Sequence, residues 1–145
     1  MSVYARGQYQ VKNLAKYIGA NFPTYRSSWE LVFCQFCDNN PAVAQWASEA
    51  IRIPYVNPLT GKKTIYVPDF LIVYNDKNNR QHAEVVEIKP TKETSFESAR
   101  SIRDKSMVAV NMAKWQAANA WCKAQGLKFR VITEKDIFVN TSRKK

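Results

Sequence analysis

At 145 residues the chain suffices for one domain with a real core. A 46% hydrophobic fraction against 23% charged residues excludes a disordered protein, and no apolar run approaches membrane-spanning length. The net charge of +10, from 22 basic and 12 acidic residues, favours a polyanionic partner, nucleic acid foremost. The basic residues are spread along the chain rather than clustered, which suits contacts to a phosphate backbone without sequence readout. The N-terminus lacks the charged-then-apolar layout of a secretory signal, so residence inside a cell is expected. The three cysteines are an odd number and argue against a disulfide framework.

Residues 1–25 read as a basic and aromatic arm, with a short strand over 7–12 and a helical turn over 13–18. Its tyrosines, Tyr4, Tyr9, Tyr17 and Tyr25, have the right chemistry to stack on bases, but packing the arm onto the domain explains them better. The first firm helix opens at Ser27 and closes at 38–40. Ser27 and Glu30 have the spacing of a capping box, so Glu30 has a structural reading as well as a chemical one. Cys34 and Cys37 on this helix lack a second pair and read as small core residues rather than zinc ligands. Asn40-Pro41 predicts an N-cap and a short helix ending near 47–49, with Trp46 as a core anchor. Residues 51–56 predict a strand, 57–61 a turn, and Lys62-Lys63 lead into the next strand. The middle of the chain is expected to be a three-stranded antiparallel meander.

Its last two strands carry the chemistry. Two apolar, β-branched runs, 67–74 and 82–90, flank the polar turn 75–81. With the turn centred on Asn78, Asp69 lies directly across from Glu87. Glu87 and Lys89 share one face, and Val86 and Ile88 share the other. Facing carboxylates repel, and burial makes this worse. Lys89 offsets part of the repulsion, and a hard divalent cation such as Mg²⁺ would offset the rest. A carboxylate-bound cation beside an ammonium suits phosphodiester hydrolysis. The competing reading is an ordinary cross-strand ion pair between Asp69 and Lys89, with Glu87 solvated. His82, the single histidine, reads as a strand residue with no catalytic part.

After Pro90, residues 91–101 read as an exposed loop or frayed helix near the site. An Ala-rich helix follows over about 103–125, closed by Gly126. It is apolar on two sides, interrupted by Lys114 and Gln116, which are candidates to reach phosphate or plain solvated residues. Residues 127–133 predict a strand parallel to the Glu87 strand, followed by a helical turn and a basic tail at 141–145.

Pro68-Asp69 followed by Glu87-Ile88-Lys89 resembles the PD-(D/E)xK nuclease signature. The resemblance implies an α/β fold: a single restriction-endonuclease-like domain at 26–140, with a mixed sheet whose central antiparallel hairpin is flanked by helices. It also implies Mg²⁺, or Mn²⁺ in its place, held by Asp69 and Glu87 with help from the Ile88 carbonyl and Glu30, and a water positioned by Lys89. A narrower resemblance runs from about residue 12 to residue 134. The segments 25–30, 40–41 with 46–49, 53–55, 86–90 and 92–94, with 114–115 and 132–134, are similar to the head completion proteins of large tailed bacteriophages. That resemblance implies a DNA endonuclease of low sequence preference, acting on packaged DNA in the virion or host cytoplasm, with head, portal or neck proteins as partners and no membrane. Arg26, Lys62, Lys63, Lys92, Lys114 and Gln116 are the expected DNA contacts. The alternatives are a non-catalytic head or portal adaptor, and a junction-resolving or transposon-type endonuclease.

Overall fold

The computed structural model describes residues 6–136. The first residues of the expected arm, with Tyr4, and the basic tail at 141–145 lie outside the described residues.

Strand β1 (Gly7–Gln8) pairs antiparallel with β2 (Thr24–Tyr25), and helix α1 (Ser28–Asn39) follows directly. Ser27 is extended, at φ −155° and ψ 162°, and its hydroxyl accepts the Glu30 N–H, which starts the helix as the spacing predicts. The end of α1 is tied back to the N-terminal segment through Asp38. Its carboxylate accepts from the Tyr9 hydroxyl at 2.6 Å and from the N–H groups of Lys12 and Asn13 at 2.8 and 2.9 Å. Tyr9 and Val11 are thereby buried in the same core as α1.

The main sheet has the order β3-β6-β7-β8. Strands β3 (Val43–Ser48), β6 (Phe70–Asn75) and β7 (Gln81–Ile88) are mutually antiparallel, and β8 (Lys128–Ile132) joins β7 in parallel, as expected. One face packs on α1 through Phe70, Ile72, Val86 and Ile88 against Phe33, Cys34 and Cys37. The other face carries α2 (Ile102–Ala124), capped by Ser101 and closed where Gly126 takes φ +73°. A hairpin of β4 (Ile53–Val56) and β5 (Lys63–Tyr66) packs beside α2, burying Ile53, Tyr66 and Ala118 against Trp115, Trp121 and Phe129. The result is a mixed α/β domain of the restriction-endonuclease-like kind, with helices on both faces of a mixed sheet.

Two expected elements differ. The segment 41–49 is not helical: a turn at 41–42 leads into the edge strand β3, Val43–Ser48. Asn40 makes a turn instead of a cap: its side chain accepts the Ala42 N–H at 2.8 Å and its carbonyl the Val43 N–H at 3.1 Å. The local helical preference of this Ala-containing run loses to pairing with β6, which buries Val43, Trp46 and Ala47 and sets Trp46 against Tyr17 at 4.8 Å between ring centres. The central meander is also corrected. β4 and β5 form a separate two-stranded sheet, and the second neighbour of β6 is β3. Ile53 and Tyr66 face each other and turn onto α2, and Pro54 has no N–H with which to extend a ladder.

Candidate active site

The register of the central hairpin places the site. Phe70 pairs with Val86 and Asn75 with Gln81, so one step further Asp69 stands opposite Glu87. The backbone locks that placement: Ile88 N–H donates to Asp69 Oδ2 at 2.7 Å, and Asp69 N–H donates to Glu87 Oε1 at 3.3 Å. Period-two alternation turns Val86 and Ile88 into the α1 core and leaves Glu87 and Lys89 on the opposite face. Lys89 Nζ lies 3.7 Å from Glu87 Oε2. The ion pair therefore joins Lys89 to Glu87 rather than to Asp69, and Glu87 is buried, not solvated.

Both carboxyls are held above their usual range. For Asp69, burial acts first and the Glu87 charge second. For Glu87, burial outweighs the pull of Lys89. Glu30 is pushed up to about 7, by burial and then by the Asp69 charge, so the α1 acid feels the strand acids. It also accepts from the Ser27 hydroxyl at 3.2 Å, so cap and site roles meet in one residue. Ser27, Glu30, Ile88, Lys89, Lys92, Glu93 and Glu134 line a cleft of about 500 Å³.

The expected DNA contacts separate into groups. Lys92 is on the cleft wall, and Arg26 lies just before the α1 cap, bonded to Glu49 at 2.7 Å. Lys114 sits over the rings of Tyr66 and Tyr55, at 5.5 and 5.9 Å. Burial and then the nearby Lys89 lower its pKa, while the charges of Glu87 and Asp69 act against that shift, so a second lysine stands beside the carboxylates. Gln116 is exposed two residues further along α2, about 200° around the helix from Lys114. Lys62 and Lys63 are exposed on the β4–β5 hairpin, away from the carboxylates in sequence but continuous with Tyr66.

Several residues at the site were missed from the sequence. Tyr66 is buried beside Glu87, and burial followed by that charge raises its phenol pKa. Its buried hydroxyl is turned toward the Glu87 carboxylate and the Trp115 indole. Glu134 accepts the Thr91 N–H at 2.8 Å, and Asn111 donates to the Glu93 carbonyl at 3.1 Å, fixing the turn after Lys89. A tyrosine ending a strand and an asparagine on an apolar helix face were the available signals.

Among the described residues no three His, Cys, Asp or Glu side chains converge as a metal cage. The donors present fit a hard cation all the same: they are oxygens, and Mg²⁺ commonly takes only one or two protein carboxylates, with waters and phosphate oxygens completing its shell. Positive charge between Asp69 and Glu87 would offset the burial that holds both in the protonated direction, and for Asp69 the Glu87 charge as well.

Residues 40–134 match the family described as TnsA-like endonuclease N terminal. The chain is also similar to the head completion nuclease of Enterobacteria phage T4, with 34% identity over 139 residues, covering 88% of this chain and 90% of that protein. The family match spans the β3 edge strand, both carboxylates, Lys89 and α2. The chain belongs to the phage head completion nucleases and carries the TnsA-like endonuclease domain.

Proposed function

We propose that this phage nuclease is a Mg²⁺-dependent DNA endonuclease of low sequence preference that acts on packaged DNA as the head is completed. The observation that carries the reading is the backbone-locked pair Asp69 and Glu87 with the Lys89 ammonium beside it. An inert scaffold gains nothing from two like charges at this range.

Asp69 and Glu87, with Glu30 and the Ile88 carbonyl, are the residues to hold the cation. When bound, Mg²⁺ neutralises phosphate charge and makes water a better nucleophile. The chain's own part is positioning. Lys89 donates to the attacking water or to a phosphate oxygen, and Glu87 holds its ammonium in place. The turn 90–94, pinned by Glu134 and Asn111, keeps Lys92 at the cleft mouth to meet the neighbouring phosphate. Lys114 adds positive charge behind Glu87, and Arg26, Lys62 and Lys63 contact the DNA backbone on either side of the cleft. Gln116 is a peripheral contact. Head, portal or neck proteins are the partners, in the virion or the host cytoplasm.

The TnsA-like match favours a second reading, a nuclease that cuts junctions or transposon-type ends. A substrate panel separates the two. Purified protein with Mg²⁺ is offered supercoiled plasmid, linear duplex of mixed sequence and a four-way junction. Comparable cutting of plasmid and duplex at many sites supports the proposal. Cutting confined to the junction supports the second reading, and no cutting of any substrate contradicts both.

A further inference from the structure

Glu49 is one of two non-glycine residues among those described with a left-handed backbone, at φ 51°. The other, Asn79, sits in the hairpin turn, where asparagine is well suited to that conformation. Glutamate is not, and strained backbone of this kind persists where the surroundings use it. The surroundings here are the candidate active site. The Glu49 N–H donates to the carbonyl of Asp69 at 2.9 Å, so the strained residue is pinned to the site aspartate across the β3–β6 ladder. Its carboxylate then accepts from Arg26 Nη1 at 2.7 Å. Arg26 immediately precedes Ser27, the cap that bonds Glu30. The contacts form a chain from Asp69 through Glu49 and Arg26 to the Glu30 end of α1.

We propose that Glu49 is a positioning residue: it holds the Arg26 guanidinium beside Asp69 and Glu30 to bind a phosphodiester oxygen next to the scissile bond. The proposal rests on the nuclease reading above. Arg26 is 54% exposed, so one side of its planar fork is open to a ligand while Glu49 occupies another. The fields of Glu49, Glu30 and Asp69 all reinforce its charge. A surface ion pair of this kind adds little to stability. A stabilising role therefore does not account for a glutamate kept in a conformation that glycine adopts freely.

Substitution at Glu49 separates function from folding. Glu49→Gly removes the carboxylate and relieves the backbone. Its thermal midpoint is expected to be no lower than wild type, while kcat/KM on plasmid DNA falls about tenfold, the scale of one charged contact. Arg26→Gln is expected to lose a similar factor. The double variant loses no more than either single, because Glu49 acts through Arg26. Glu49→Gln, which keeps an oxygen acceptor, recovers part of the loss. Wild-type kcat/KM in Glu49→Gly, a loss matched by a fall in thermal midpoint, or additive losses in the double variant would each overturn the proposal. A wild-type protein that cuts no DNA overturns the nuclease reading itself, and this inference with it.

Discussion

Asp69 shows how a residue proposed for chemistry can be unfavourable for the fold. It accepts a strong backbone hydrogen bond from Ile88, yet it is buried facing Glu87, whose charge Lys89 and Lys114 offset in part. Asp69→Asn removes one of the two like charges. It is expected to stabilise the metal-free protein by about 1–2 kcal/mol in urea unfolding at about pH 9, where both carboxyls are ionised, while cleavage is lost. The pH dependence follows the same logic. Carboxyls whose folded pKa is raised, Asp69 and Glu30 among them, bind more protons in the folded than in the unfolded chain between about pH 4 and their folded values. Their contribution is full below the unfolded pKa and is lost as pH rises through the folded pKa. In EDTA the wild type therefore loses stability from about pH 5 to about pH 8 more steeply than Asp69→Asn does. Saturating Mg²⁺ removes much of that difference. Equal slopes in EDTA would contradict the account.

Asp38 is the opposite case. Burial alone would raise its pKa, but hydrogen bonds from Tyr9, Lys12 and Asn13 outweigh burial and hold it below the usual range. Its contribution is present above the unfolded pKa and is lost as pH falls through the lower, folded one. Asp38→Asn is expected to destabilise by about 2–4 kcal/mol near neutral pH, because it weakens several charge-assisted bonds at once. That deficit should shrink in acid, as read by denaturant unfolding at about pH 7 and about pH 3.

At the scale of elements, the legible parts of the chain were those where local pattern and tertiary context agree. The β6–β7 register followed from two alternating runs around a polar turn, and that pattern alone placed Asp69 opposite Glu87. The Ser27 cap, the stop of α2 at Gly126 and the parallel β8 were legible for the same reason. The β3 strand was not, because Asn40-Pro41 and alanines spell a helix start locally and only the open edge of β6 makes the segment a strand. The separate β4–β5 hairpin was hidden too, since its destination depends on the α2 surface that receives Ile53 and Tyr66. The site itself follows this division. Asp69, Glu87 and Lys89 lie on the legible hairpin, whereas Glu49, Tyr66 and Asn111 arrive from elements whose placement is tertiary.

At the scale of the molecule, +10 net charge is spread around a site that already carries two lysines. Spread charge predicts DNA affinity that falls steeply with salt and depends little on sequence. Removing one phosphate-binding cation lowers the slope of log K against log salt by about 0.9. Lys62→Ala with Lys63→Ala is therefore expected to lower it by about two, measured by fluorescence anisotropy on unrelated duplexes. An unchanged slope would remove the β4–β5 hairpin from the DNA path.

The central claim is that Asp69, Glu87 and Lys89 form a cation-dependent phosphodiesterase site. Its most direct test is nicking of supercoiled plasmid in Mg²⁺, Mn²⁺ or EDTA by wild type, Glu87→Ala and Lys89→Ala. Wild type is expected to nick with either cation and not in EDTA. Glu87→Ala should be inactive, and Lys89→Ala slower by about 10²–10⁴. Folded wild-type protein that binds DNA without cutting it, or a Glu87→Ala variant that nicks at the wild-type rate, would contradict it.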